Sequence, residues 1–147
     1  MLRAPKKVAL AVEAVVDIAY HGGPDPVQSQ EIARRLGLPR RYLEQVMQQL
    51  VRAGILRGVR GPRGGYRLAR ERRRITVGDV IRALTREEAR ALASRSPLGE
   101  RVMAPLWQEV EERMMARLDE LSVEELCRRA QERQVPSEAR EHVDFAI

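Results

Sequence analysis

Apolar residues recur along the first half of the chain at helical spacing. Val8, Ala11, Val12, Val15, Val16 and Ala19 step around one face, which predicts a helix from Lys6 to His21, stopped by Gly22-Gly23-Pro24. Residues 22–27 read as a turn. Residues 28–36 read as a short helix with Ile32, Ala33 and Leu36 inward, closed by Gly37. Pro39 suits the start of a third helix, because its fixed φ matches the first helical position. That helix runs to about Ala53, with Leu43, Val46, Met47 and Leu50 as its buried stripe, and Gly54 ends it. The period then shortens. Residues 55–60 and 66–70 flank the turn Gly61-Pro62-Arg63-Gly64-Gly65, so a β-hairpin is expected.

Thr76 fits an N-cap with Asp79 at the third position, opening a short helix to about Leu84. Thr85 and Glu88 repeat that spacing, so a helix over 87–93 is expected, followed by a loop over 94–100. From 102 to 121 a continuous stripe of Met103, Leu106, Val110, Met114, Leu118 and Leu121, flanked by Trp107, predicts a long helix. Ser122 with Glu125 forms another capping box and opens a last helix to about Gln134. The whole is an α+β, mostly helical plan. A winged helix-turn-helix occupies residues 1–84, and a helical region of dimerisation and possible sensing occupies 85–147.

Composition sharpens this picture. At 147 residues the chain can bury an ordinary core without staples. Aromatic residues are only 3%, so the core is aliphatic and a stacking platform for single-stranded nucleic acid is not expected. The single cysteine, Cys127, rules out an internal disulfide and a Cys-rich zinc site, and its place in a helical pattern suits packing. The most apolar early stretch, residues 8–20, is interrupted by Glu13 and Asp17 and is too short to cross a bilayer. The cytoplasm of a bacterium is the expected location. The net charge of +6 divides into +10 over residues 1–84 and −4 over 85–147. A positive field of that kind favours polyanions, above all nucleic acid. Because 25 of the 27 basic residues are arginine, a compositional bias is the lesser alternative explanation of the charge.

The candidate chemistry lies in residues 40–74, which hold eleven arginines and only two acids, Glu44 and Glu71. With the third helix's stripe inward, its outward set is Arg40, Arg41, Glu44, Gln45 and Gln48. The second helix of a helix-turn-helix enters the major groove, where Glu accepts from cytosine, Gln pairs with adenine, and Arg reads guanine or holds phosphate. A carboxylate there repels phosphate, so Glu44 is either a base reader or a local partner of Arg40 or Arg41. Arg60 and Arg63 sit at the wing tip, placed either for a narrow minor groove or for solvent. Gly61, Pro62, Gly64 and Gly65 shape the wing turn, which lacks the Lys-Ser/Thr ending of a phosphate loop. His21 and His142 have no metal-spaced partner, and no acidic cluster in the basic part suits two-metal chemistry. No metal site and no enzymatic activity are expected. The stripe from Met103 to Leu121 suits intramolecular core and a dimer interface equally. A symmetric dimer would match operator half-sites roughly 34–36 Å apart.

Several segments together carry a resemblance. Gln30-Glu31-Ile32-Ala33, Arg41-Tyr42-Leu43-Glu44-Gln45, Ala53-Gly54-Ile55-Leu56, Val59-Arg60-Gly61-Pro62-Arg63-Gly64-Gly65-Tyr66-Arg67-Leu68 and Ile75-Thr76-Val77-Gly78-Asp79-Val80-Ile81 resemble the Rrf-two family of bacterial winged-helix regulators, which includes the iron–sulfur cluster regulator. The resemblance covers residues 8–84 well and 102–130 loosely. It implies a homodimer with a long helix crossing between subunits. It also implies Tyr42, Glu44 and Gln45 in the major groove and Arg60 in the minor groove.

Cluster-binding members of that family carry three cysteines between the helix after the wing and the long helix. Residues 85–106 contain none, so no iron–sulfur cluster is expected. Leu106-Trp107 and the ending Asp144-Phe145-Ala146-Ile147 are similar to the cluster-free branch typified by the repressor of cysteine metabolism, which takes its signal through cysteine synthase. Two positions depart from the family. Lys7-Val8 replaces its usual Arg-Tyr, and Pro39 stands where a capping Ser is common. The expected function is a homodimeric, sequence-specific repressor that binds a pseudo-palindromic operator on double-stranded DNA. The alternative is a winged-helix adaptor. Its acidic half and the tail after Pro136 would bind a metabolic enzyme or respond to a small-molecule effector.

Overall fold

The computed structural model describes residues 5–85 and 95–139. Helix α1 (Lys6–His21) buries Val8, Ala11, Ala14, Val15 and Ile18 along one face. Helices α2 (Ser29–Leu36) and α3 (Arg40–Arg52) follow as a helix-turn-helix, and α3 buries Leu43, Val46, Met47 and Leu50. Pro39 stands just outside α3 as its cap, so the helix begins one residue later than its φ alone suggests. Strands β1 (Leu56–Val59) and β2 (Gly65–Leu68) pair antiparallel, with Leu56 opposite Leu68 and Val59 opposite Gly65. A short 3-10 turn (Arg72–Arg74) leads to α4 (Val77–Thr85). There the capping box is complete, since Thr76 N donates to Asp79 (3.0 Å) and Asp79 N donates to Thr76 (3.1 Å). The architecture is the mostly helical winged helix that the periodicity predicts, and its core is aliphatic throughout.

Two expectations change, and a third lies outside the described residues. Only residues 95 and 96 of the predicted loop are non-helical, and the chain turns helical at Pro97. Ser96 Oγ accepts from Gly99 N (2.9 Å), Leu98 is already helical, and a wide π-type turn (Gly99–Met103) runs directly into α5 (Ala104–Asp119). The helix expected over 87–93 lies outside the described residues. Thr85, expected to cap it, donates its hydroxyl back to Ile81 O within α4 (2.8 Å). The turn over 22–27 ends in an unforeseen pairing, because Val27 forms an antiparallel bridge with Tyr66 of β2.

The chain's second half returns to the first. Val77 N donates to Leu121 O and Val123 N to Ile75 O, both at 2.8 Å, which joins the starts of α4 and α6 (Val123–Glu132). Ser122 caps α6 by accepting from Glu125 N (3.1 Å), while the Glu125 carboxylate turns to Arg128 and Arg129. Val123 and Cys127 of α6 are buried in the same core as α1. Helix α5 behaves differently, for none of its residues is buried. Met103, Val110, Leu118 and Leu121 of the predicted stripe are half-covered. Leu106, Trp107 and Met114 remain 44%, 55% and 49% exposed.

After α6, Gln134 adopts a left-handed conformation (φ 59°) and turns the chain back across α1. Tyr20 donates its hydroxyl to Val135 O (2.5 Å), Ser137 Oγ donates to Tyr20 O (2.9 Å), and Glu138 N donates to His21 Nδ1 (2.9 Å). The Glu138 carboxylate bonds Arg34 and Arg35, both at 2.8 Å. These bonds hold that carboxyl below the usual carboxylate range. Beneath this strap, Arg35 donates through Nε and Nη2 to the buried Asp17 carboxylate (2.9 and 2.8 Å). Burial and the Arg35 charge outweigh Asp17 and Glu138 and push the His21 imidazole below its ordinary pKa. Its neutral form is thereby favoured, and Nδ1 is free to accept.

Candidate nucleic-acid interface

The buried stripe of α3 decides which residues face outward. Arg40, Arg41, Gln45 and Gln48 are exposed, and Glu44 is half-buried. Tyr42 is also half-buried, with its ring packed against the core. Glu44 has two neighbours that bear on its role. Arg40 Nε lies 3.1 Å from its Oε1, and Ser29 Oγ donates to the same oxygen at 3.4 Å. The ion pair with Arg40 is exposed and contributes little by itself.

The wing tip is a tight turn in which Gly64 N donates to Gly61 O (2.9 Å). Gly61 has φ 115°, a conformation that residues with a Cβ rarely adopt. Arg60, Pro62 and Arg63 are exposed around it. Gln28 Nε2 donates to the Pro62 carbonyl at 3.5 Å. Between α3 and the wing runs a groove of about 680 Å³, lined by Gln28, Arg40, Gln48, Arg60 and Tyr66 among others. Burial, with the Glu44 charge adding to it, pushes the Tyr66 phenol pKa up, and nearby Gln48 opposes the shift. Gln28, Ser29 and Tyr66 were missed as site residues from sequence. Their only sequence signal is adjacency, to the start of α2 or to the paired glycines of the wing.

The arginines separate by place. Among the described residues, Arg41, Arg52, Arg57, Arg60, Arg63, Arg67, Arg70 and Arg74 have no ion-pair partner, nor do Arg95, Arg101 and Arg133. In α5 and α6, by contrast, Arg113, Arg117, Arg128 and Arg129 each pair with a carboxylate nearby in sequence. On the hairpin Arg57 stands directly across from Arg67, and Arg67 is engaged with the Pro24 carbonyl. Like charges directly opposed destabilise a sheet unless an anion comes between them. The unpaired positive charge therefore runs from α3 through the wing to the turn before α4.

Comparison with known proteins bears directly on this arrangement. The Rrf2 (Rrf-two) family model, described as an iron-dependent transcriptional regulator, matches residues 4–129. The chain belongs to the Rrf2 family. Among curated Rrf2-type relatives, the HTH-type transcriptional regulator IscR of Xenorhabdus nematophila is 35% identical over 131 residues, covering 86% of this chain and 80% of the relative. IscR of Vibrio atlanticus is 32% identical over 150 residues, covering 99% and 86%. Of the solved structures, T. potens IscR superposes with a TM-score of 0.75 at 37% identity, covering 92% of this chain and 93% of that one. CymR, the global cysteine regulator of B. subtilis, superposes with a TM-score of 0.71 at 29% identity, covering 88% and 98%. This Rrf2 chain is a DNA-binding transcription regulator and not an enzyme.

The family description raises the question of iron. A cluster needs about four ligands, usually thiolates. This chain has one cysteine, and Cys127 points into the core, where burial pushes its thiol pKa up. Among the described residues no group of three His, Cys, Asp or Glu side chains is arranged to hold a metal. The donor set does not fit an iron–sulfur cluster. No helix among the described residues is long and apolar enough to cross a membrane.

Proposed function

We propose that the chain is a homodimeric, sequence-specific repressor of the cluster-free kind, acting on a pseudo-palindromic operator. Residues 1–84 carry the DNA contacts and 85–147 the dimer contacts, with α6 returning to buttress α1. Arg40, Arg41, Tyr42, Glu44, Gln45 and Gln48 address the major groove. Arg60 and Arg63 address the adjacent minor groove. The observation that carries this reading is the run of unpaired arginines around an α3 face that also presents one carboxylate and two glutamines. Arginines held free of acids attract phosphate, and a lone carboxylate among them lowers non-specific affinity while it discriminates among bases.

Selection from a pool of randomised duplexes tests it. A preferred motif with two-fold symmetry is expected, and Glu44→Ala should lose about 1–3 kcal/mol of discrimination at one position of each half-site. Selection that returns no motif would sink the claim of specificity.

The dimer contacts are proposed along Met103, Leu106, Trp107, Val110, Met114, Leu118 and Leu121. A sixteen-residue helix without one buried residue supports this reading. Its large apolar side chains lie open on the same element, as they do on a surface that awaits a partner. The donor set, a single buried cysteine, supports the cluster-free assignment. Trp107→Glu is expected to convert the dimer to single chains in sedimentation equilibrium. A variant that sediments as the parent does would remove this face from the interface.

A further inference from the structure

Three consecutive residues at the entry to α2 each hold a different part of the reading surface. Val27 exchanges two backbone hydrogen bonds with Tyr66, at 2.8 and 3.0 Å, and so fixes the base of the wing. Gln28 reaches the Pro62 carbonyl and touches the wing tip. Ser29, itself buried, reaches the Glu44 carboxylate on α3. The close approach depends on Gly65, where a Cβ would collide with the Val27 carbonyl. Tyr66 closes the set from the other side. Its backbone is held by Val27, its partner across the hairpin is Gly58, and it lines one groove together with Gln48 of α3. The wing base, the wing tip and the outward face of α3 are all referenced to one short segment.

We propose that residues 27–29 together with Tyr66 form a gauge that sets the position of Glu44 and Gln48 relative to the wing arginine Arg60. Gln28, Ser29 and Tyr66 are then positioning residues for sequence discrimination, although they lie outside the set that faces the bases. The proposal rests on the DNA-reading function proposed above and deepens it. Major-groove and minor-groove readers must engage one duplex simultaneously, so their spacing is part of what is recognised. A carboxylate held by Arg40 alone keeps its rotamer freedom. The second bond, from Ser29 on a different helix, removes that freedom before DNA arrives. Gln28 acts in the same way on the wing, whose two short strands cannot hold their own angle against the body.

Duplex selection with the full chain distinguishes the roles, using the parent, Ser29→Ala, Ser29→Thr, Gln28→Ala and Tyr66→Phe. Ser29→Ala and Tyr66→Phe should reduce discrimination about two- to tenfold, confined to the positions read by Glu44 and Gln48. Gln28→Ala should reduce the preference at the A·T-rich flank that the wing meets. Ser29→Thr keeps the hydroxyl and should restore the parental motif. Melting temperature and affinity for non-specific duplex should stay at parental values. Variants that return the parental motif with unchanged weights would overturn the gauge while leaving the DNA-reading function in place. Weakening spread evenly over all positions, with a lowered melting temperature, would overturn it too, since that marks a purely structural role. A parent that selects no motif would overturn the gauge and the reading function together.

Discussion

Raising salt from about 50 to about 200 mM should weaken binding to duplex DNA by roughly a thousandfold. Eight arginines between Arg41 and Arg74 have no ion-pair partner among the described residues, and all but Arg67, which bonds the Pro24 carbonyl, can reach a phosphate without breaking an internal bond. If about three per subunit do so, a dimer makes about six contacts, and log K falls against log salt with a slope near −5. Fluorescence anisotropy titrations at several salt concentrations measure that slope. Arg52→Ala or Arg57→Ala should each make it shallower by up to about one per subunit, provided that arginine meets a phosphate. Arg113→Ala should leave it unchanged, because Arg113 is paired with Glu109 on α5. A parental slope shallower than about −2 would contradict phosphate contact by this arginine set.

Asp17→Ala should destabilise the fold by about 3 kcal/mol. Asp17 is only 7% exposed, and its carboxylate takes two N–H groups of Arg35 across the α1–α2 packing. Deleting it strands the inner side of a guanidinium that has been removed from water. The outer nitrogen keeps Glu138 at 2.8 Å and Glu31 at 3.8 Å, which places the loss at the low end of the range for broken buried pairs. Urea denaturation followed by circular dichroism measures the change. A double replacement, Asp17→Ala with Arg35→Met, should recover much of it, because no buried charge is then left without a partner. A loss under about 1 kcal/mol for the single change would mean that water reaches Arg35 freely. DNA affinity should fall alongside stability, since Arg35 belongs to the helix that supports α3.

Elements governed by local rules were legible in the chain. Helix α1 runs between the residues its apolar period predicts, and Thr76 and Asp79 exchange the bonds that their spacing implies. The outward set of α3 was legible because it is the complement of a clear buried stripe. Contacts between elements were not. Asp17 and Arg35 lie on separate helices, and neither advertises the other by spacing. Val27 looked like the end of a turn because its partner, Tyr66, lies far along the chain. The role of Glu44 stood open between pairing and reading. The structure gives it an arginine and a serine as neighbours, and both leave it at the surface. Ser96-Pro97 is itself a helix-start signal, obscured by the arginines and glycine around it. The stripe of α5 predicted a helix correctly, but a stripe does not say whether its own chain or another covers it.

The paired backbone bonds that join Thr76–Val77 to Leu121–Ser122 have a consequence for how such chains diversify. From this point α4 packs Val80 and Leu84 into the core, whereas α5 returns to it without a buried residue. Lengthening such an excursion adds closure entropy only slowly, and neither anchor has to move. Helix α5 is therefore the part that can vary without disturbing the core. An insertion, a truncation or a graft from a relative can change what it pairs with or detects, while the helix-turn-helix keeps its alignment. Exchanging α5 between two regulators, with α4 kept, leaves the buried side chains of the helix-turn-helix in place.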